Sequence, residues 1–309
     1  MSAPTHRSAA APDRAFAFGS GRTATWVDAL DDARLDDFRN VRDPELRRER
    51  GLFVIEGRKN VEALVVHGRF DVKAVLVSPA AFDALAHVWS RLAPGAEIHV
   101  APPALLDAVV GFRIHRGCLA VAHRRDALAI DDVLSPLRAQ AAAAPRLVVA
   151  LEDLTDIDNV GSAFRNALAL GASAIVLSPR CCDPLYRKAV RVSMGAVLRL
   201  PYARAERWPE GLDPFRDAGF EIVALDPAPD AGDLAALASP GGRGAVGRPA
   251  GRVLVLGSEG EGLSDALRCY ADARVRIPMA AGVDSLNVAT AAAIAMYALG
   301  PSASRPAGA

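Results

Sequence analysis

No stretch of this chain is apolar for long enough to cross a bilayer as a helix, which takes about 20 residues. No charged start with an apolar core and a cleavage site marks a secretory signal. A soluble, cytoplasmic protein with no membrane or metal partner is the expectation. The four cysteines, Cys118, Cys181, Cys182 and Cys269, show neither C-x-x-C spacing nor a disulfide framework, which fits a reducing compartment. Net charge is missing too: 36 basic side chains balance 36 acidic ones, so attraction to nucleic acid must come from local patches. Residues 146–309 contain no histidine, which argues against an imidazole base or a histidine-ligated metal there. No internal repeat is evident.

What is present is enough apolar material for substantial cores, 51% of 309 residues, and a length that suggests two domains. Residues 1–25 are rich in Ala, Ser and Arg with Asp13 the only acid, and read as a disordered tail. Residues 26–134 read as a small α/β domain. Leu52-Phe53-Val54-Ile55-Glu56-Gly57 and Val72-Lys73-Ala74-Val75-Leu76-Val77 are strands, followed by extended segments at 98–100 and 118–122. Helices are expected near 60–67, 82–92 and 103–110, and a charged helix or loop at 35–50. The low-complexity segment 135–145 is the natural linker. From 146 to 300 strands (146–152, 174–178, 197–201, 221–225, 252–256, 274–277) alternate with helices (160–170, 186–194, 212–218, 265–270 and a terminal one). That order predicts an α/β domain, a mainly parallel sheet with helices on both faces and ligands at the strand C-terminal ends. Residues 301–309 form a tail.

Gly242-Arg243-Gly244-Ala245-Val246-Gly247 formally satisfies the dinucleotide pattern G-x-G-x-x-G. It is a decoy, because the fingerprint needs a strand before it and a helix after it, and here a proline-glycine loop precedes and a strand follows.

Three other stretches carry chemistry. In Arg276-Ile277-Pro278-Met279-Ala280-Ala281-Gly282-Val283-Asp284-Ser285-Leu286-Asn287-Val288, a strand stops at Pro278, which lacks a ladder donor, and Gly282 permits a turn. Asp284 or Ser285 can cap a helix beginning near Leu286 whose apolar residues cover nearly its whole circumference, so the helix should be buried. An ordinary capped core helix accounts for these residues taken singly. In Asp158-Asn159-Val160-Gly161-Ser162-Ala163-Phe164-Arg165-Asn166, Asn159 can cap a helix, and Arg165 lies nearly two turns on, close to Gly161 and Ser162. A capped amphipathic helix with an exposed arginine is the plain reading. In Gly257-Ser258-Glu259-Gly260-Glu261-Gly262-Leu263-Ser264, a buried strand runs into a loop that bares its backbone at a sheet edge, which suits a flat ligand or simply a tight turn.

Taken together and in order, N-x-G-x-x-x-R, G-x-E-x-x-G-L and I-P-M…S-L-N-V resemble the three motifs of the SpoU (TrmH-like) RNA methyltransferases. The resemblance covers the second half of the chain strongly and the first domain loosely, where Phe53-x-x-Glu56-Gly57 and the 111–117 loop are similar in style to a substrate-binding domain. It implies a C-terminal trefoil knot, a homodimer, S-adenosylmethionine as cofactor, and methyl transfer to a ribose 2′-hydroxyl of tRNA or rRNA. It further implies that Leu256, Gly257, Gly260, Ile277, Met279, Leu286 and Asn287 hold the cofactor, with Arg165 at the target phosphate and 2′-oxygen. Asn159, Glu259, Ser285 and Asn287 complete the implied catalytic set.

RNA contacts are expected from two basic stretches. One includes Arg113, Arg116 and Arg124; the other includes Arg187, Lys188 and Arg191, which cluster on one helical side. A solvated basic face is the alternative for each. Cys181 and Cys182 read as buried or inert thiols. Two other functions stay open on the sequence: a nucleotide-dependent oxidoreductase, disfavoured by the lack of a proper fingerprint, and a knotted RNA-binding protein without catalysis.

Overall fold

The alternation of apolar runs with helices resolves, in the computed structural model, into two sheets. The described residues are 15–18, 21–39, 46–110, 117–139, 146–239, 249–283 and 285–300. The chain divides into two compact units, Met1–Arg124 and Arg125–Ala309. Among the described residues no helix is long and apolar enough to cross a membrane.

The first unit is built on strands β1 (Ala15–Phe18), β2 (Arg22–Trp26), β3 (Leu52–Glu56), β4 (Val72–Val77), β5 (Glu97–Val100) and β6 (Cys118–His123), in the order β1-β2-β5-β4-β6-β3. Helices α1 (Arg58–His67), α2 (Pro79–Ala84) and α3 (Pro103–Val110) connect them. The disordered tail expected over 1–25 is corrected at 15–18 and 22–25, where β1 pairs antiparallel with β2, which pairs parallel with β5; residues 1–14 lie outside the described residues. Phe16 supplies the reason, its ring lying 6.1 Å from that of Trp26 and 5.7 Å from that of Phe82. Arg22 adds bonds to the carbonyls of Leu92 and Ala96, both at 2.7 Å. Residues 35–50 yield short 3-10 and π turns at Ala33–Phe38 and Leu46–Arg50, and 82–92 breaks into α2 and a 3-10 turn at Trp89–Arg91.

The second unit begins with α4 (Ile130–Ala139), so the first part of the expected linker is helix. Its Val133, Leu134 and Leu137 are buried in the core, a periodicity hidden in sequence by Pro136 and the alanine run. Then follow β7 (Leu147–Leu151), α5 (Ile157–Ala169), β8 (Ala174–Leu177), α6 (Arg187–Val192), β9 (Tyr202–Arg204), α7 (Asp213–Asp217), β10 (Phe220–Leu225), β11 (Gly232–Asp233) and α8 (Leu234–Ala238). β12 (Gly251–Leu256), α9 (Asp265–Tyr270), β13 (Ala273–Arg276) and α10 (Val288–Leu299) complete it. The expected strand at 197–201 is instead a 3-10 turn, Ala196–Leu198, with β9 displaced to follow Pro201.

The seven strands run in the order β11-β13-β10-β12-β7-β8-β9, every pair parallel. Side chains alternate between faces. Val148, Ala150, Val253, Val255, Ile222 and Ala224 share a core with α4, α7 and α9, while α5 and α10 pack together against the other face. Register brings the C-terminal ends into line: Leu151 pairs with Leu256, Leu256 with Leu225, and Leu225 with Val275. The loops after β7, β12, β10 and β13 therefore leave the sheet at one edge.

Helix ends differ from the sequence expectation in an instructive way. α5 is capped by Asp156, whose carboxylate accepts from Asn159 N at 2.9 Å, leaving Asn159 inside the helix. α10 is capped by Asn287 and starts at Val288, while Asp284 lies outside the described residues. Nor is α10 buried all round. Val288, Ala292, Ala295, Met296 and Leu299 form its buried stripe, whereas Ile294 and Tyr297 face solvent, Tyr297 at 65% exposure.

Gly161 marks a close crossing of α5 and α6: a Cβ there would lie 2.9 Å from Ala189 O and 3.1 Å from Val192 Cβ. In an open helix Gly→Ala gains up to about 1 kcal/mol, whereas overpacking against backbone costs about 1–3 kcal/mol. Since a carbonyl cannot swing aside, Gly161→Ala should lower stability by about 1 kcal/mol or more in urea unfolding. A stabilised variant would show that the helices separate freely.

Candidate functional site

A cavity of about 520 Å³ opens at the aligned strand ends. One wall is the loop 257–263. Gly257 admits no side chain, because a Cβ would lie 2.3 Å from the Gly262 carbonyl carbon and 2.6 Å from Leu263 N. The loop closes on itself through Ser258 N to Gly262 O at 3.2 Å and Gly262 N to Ser258 O at 3.1 Å. Gly260 (φ +103°) and Gly262 (φ +70°) take the left-handed backbone that closure demands. The three glycines thus have two separate reasons, close approach at Gly257 and left-handed backbone at Gly260 and Gly262, where the sequence offered only a glycine-rich turn.

The opposite wall comes from the segment between β13 and α10: Ile277, Met279, Ser285, Leu286 and Asn287, with Val288 and Ala291 from the helix. Leu225 and Pro227, after β10, line it as well. Of the residues singled out in the sequence, Leu256, Gly257, Glu259, Gly260, Ile277, Met279, Ser285, Leu286 and Asn287 all border this one cavity. Leu225, Pro227 and Ser258 were not foreseen; Pro227 follows a strand end as Pro278 does, a signal that could have been read.

Asn287 joins the three motif segments. Its Nδ2 donates to Asn159 Oδ1 at 3.1 Å and to Glu259 Oε1 at 2.5 Å, and its Oδ1 accepts from Ala289 N at 3.0 Å and Thr290 N at 3.2 Å. A carboxamide has two N–H donors and two oxygen lone pairs, so this one is fully engaged. Asn166 Nδ2, nearly two turns beyond Asn159 on α5, donates to Ala289 O at 2.8 Å and fastens the same two helices.

Arg165 is not among the cavity-lining residues. It is exposed on α5 next to Asn166, and six helical residues set it about 120° around the axis from Asn159. The two therefore leave α5 on different faces, although both belong to the helix that meets Asn287.

The basic stretches are partly engaged within the fold. Arg113 and Arg116 lie outside the described residues. Arg124 is half-buried, and its backbone N donates to Gly51 O. On α6, Lys188 pairs with Asp158 at 2.7 Å between the half-buried Arg187 and the exposed Arg191. Arg204 bonds the carbonyls of Ser178, Cys181 and Cys182, and Arg180 pairs with Asp153. The Arg180 guanidinium, helped by Ser178, holds the Asp153 carboxyl below the usual range against its burial. Burial pushes the Cys182 thiol up to about 12 and raises Cys181 as well, which keeps both thiols protonated and inert.

Glu152, at the end of β7, also escaped the sequence reading. It is 2% exposed, and its carboxylate accepts from Trp208 Nε1, Ser264 N and Ser264 Oγ. Nothing in Leu151-Glu152-Asp153 tells which acid turns inward.

Residues 146–297 match the model of the SpoU rRNA Methylase family. The chain is 41% identical over 291 residues to an uncharacterised tRNA/rRNA methyltransferase of Mycobacterium tuberculosis, covering 90% of this chain and 94% of that protein. Its fold is similar to that of an AdoMet-bound rRNA methyltransferase from Sinorhizobium meliloti, at 26% identity and TM-score 0.70, covering 89% and 96% of the two chains. It is also similar to the SpoU methyltransferase AviRb from Streptomyces viridochromogenes in complex with AdoMet, at 25% identity and TM-score 0.67, covering 87% and 97%.

Replacing Asn287 by Ala removes the α10 cap and leaves Asn159 without its donor, and should cost about 1–2 kcal/mol in urea unfolding. Asn287→Ser, which still accepts from the first turn, should recover most of that loss without restoring the link to Glu259. An unchanged unfolding midpoint for Asn287→Ala would rule out the capping role.

Proposed function

Because the chain belongs to the SpoU rRNA Methylase family, a family of RNA methyltransferases, we propose that it transfers the methyl group of S-adenosylmethionine to a ribose 2′-hydroxyl of tRNA or rRNA. The observation that supports this most is the single cavity at the strand ends, bordered by two of the motif segments and tied to the third through Asn287. Its lining suits the cofactor. Leu225, Leu256, Ile277, Met279 and Leu286 offer apolar surface for a purine, while Gly257 and Gly260 present backbone groups unobstructed by side chains. The volume falls within the range of about 300–1,000 Å³ usual for small-molecule sites. The proposal includes the trefoil knot at this edge of the sheet.

A sulfonium supplies a methyl group that is already activated, so the protein's share is alignment and electrostatics. Asn287, its amide fully engaged, positions Asn159 and Glu259 and is not itself a ligand of ribose. Ser285 and the second carboxylate oxygen of Glu259 have no hydrogen-bond partner among the described residues and are available to the ribose. A guanidinium is a donor and not a proton acceptor, so Arg165 orients the target phosphate and 2′-oxygen and is not the base. Arg187, Lys188 and Arg191, together with Arg113, Arg116 and Arg124 of the first unit, contact the RNA backbone. A homodimer belongs to the same reading, supported by the apolar Ile294, Tyr297 and Met194 left in solvent.

Calorimetry should give stoichiometric S-adenosylmethionine binding, and a 2′-O-methyl map of RNA from cells with and without the gene should differ at a defined nucleotide. Arg165→Ala should lower transfer about a hundredfold with cofactor affinity retained. Full transfer by that variant would remove Arg165 from the mechanism. Tight reduced-nicotinamide binding in place of S-adenosylmethionine would point to an oxidoreductase, and cofactor binding with no change in the map to an RNA-binding protein without catalysis.

A further inference from the structure

We propose that Glu152 is a positioning residue of the cavity, a single side chain and backbone amide that fasten both ends of the loop 257–263 to strand β7. The inference rests on the reading of this cavity as the S-adenosylmethionine site. At the entry to the loop, Glu152 N donates to Leu256 O at 2.8 Å. At its exit, Glu152 Oε2 accepts from Ser264 N at 2.9 Å and Oε1 from Ser264 Oγ at 2.6 Å. Oε1 also accepts from Trp208 Nε1 at 2.7 Å, which fixes the carboxylate from a third segment. Ser264 in turn caps α9, its Oγ accepting from Leu267 N at 3.1 Å, so the exit is tied at once to the sheet and to a helix.

The loop needs such fastening. Glycine loses more backbone freedom on ordering than any other residue, and Gly257, Gly260 and Gly262 all lie between these two anchor points. Their backbone groups face the cofactor, so a loop free at its exit must be ordered at the expense of cofactor affinity.

The donor set makes the carboxylate hard to replace. Trp208 Nε1 and Ser264 N can only donate, and they address different oxygens of Glu152. Glutamine has one oxygen, so in Glu152→Gln one of these donors must face an amide NH2 group. Removing the indole donor resolves that conflict: in Trp208→Phe/Glu152→Gln the amide oxygen can turn to Ser264 N and its NH2 to Ser264 Oγ.

The test uses the full chain. Calorimetry with S-adenosylmethionine and with S-adenosylhomocysteine, kinetics at saturating cofactor, and amide hydrogen exchange over 257–263 are compared among wild type, Glu152→Gln and the double variant. Glu152→Gln should weaken both ligands equally, by about tenfold, the equivalent of one unsatisfied buried donor. It should leave kcat within about twofold once the cofactor is saturating, and should speed exchange in the loop. The double variant should regain most of the affinity and protection. Unchanged affinity, or loss of the sulfonium ligand alone, would overturn the proposal, the latter by showing a direct charge effect. If wild type binds neither ligand, the cofactor reading fails instead, and hydrogen exchange alone decides: unchanged protection in Glu152→Gln would then overturn the clamp.

Discussion

A carboxamide can satisfy four hydrogen-bonding directions, and in this protein Asn287 has all four filled from within the chain. Two partners are the opening amides of its own helix α10. The others are Asn159 of α5 and Glu259 of the glycine loop, 128 residues before it and 28 residues before it in sequence. The same side chain therefore ends an irregular segment, starts a helix and ties helix α5 to the glycine loop. Moving any one of these segments leaves a polar group of Asn287 without its protein partner.

That hub works because the sheet delivers its loops together. Every pairing in the seven-stranded sheet is parallel, so all strand C-termini lie on one edge. Buried acids then hold the strand ends. Asp226, 1% exposed, follows β10 and takes Arg268 at 3.2 Å, Arg274 at 3.5 Å and Ala228 N at 3.1 Å. Glu152 does the comparable task after β7 with neutral donors. Carboxylates this deep are tolerable only when every lone pair faced by protein meets a donor, which makes them anchors for chain that has no secondary structure of its own.

The balanced composition acquires meaning in this frame. Arg180 and Arg204 come from the same basic stretch as Arg187 and Arg191, yet each is bonded to the chain itself. Counting cations along the sequence therefore overstates the charge presented to RNA. Arg165 is the contrasting case. It is exposed on the helix whose other face carries Asn159 into the hub, so its backbone is placed by the packed helix while its side chain reaches solvent.

Much of this was legible in the chain itself. Period and punctuation identified the order of strands and helices, because buried parallel strands are short apolar runs and glycine and proline end them. Two of the three motifs identified most of the residues that border the cavity, since glycine at 257, 260 and 262 and small side chains on α10 answer to local backbone demands. Local pattern misjudged whatever depends on a distant partner. Asn159 looked able to cap one helix and Asp284 or Ser285 another, yet the fold gave those tasks to Asp156 and Asn287 and left Asn159 to accept a hydrogen bond from Asn287. The first strands looked like a tail because Phe16 finds its aromatic partners only when the sheet has formed. Glu152 and Asp153 are adjacent acids of equal propensity; which one turns inward was decided by Trp208 and Ser264, residues 56 and 112 positions away. Propensity and periodicity act over a few residues, whereas the satisfaction of a buried polar group is settled by whatever tertiary structure brings within hydrogen-bonding distance.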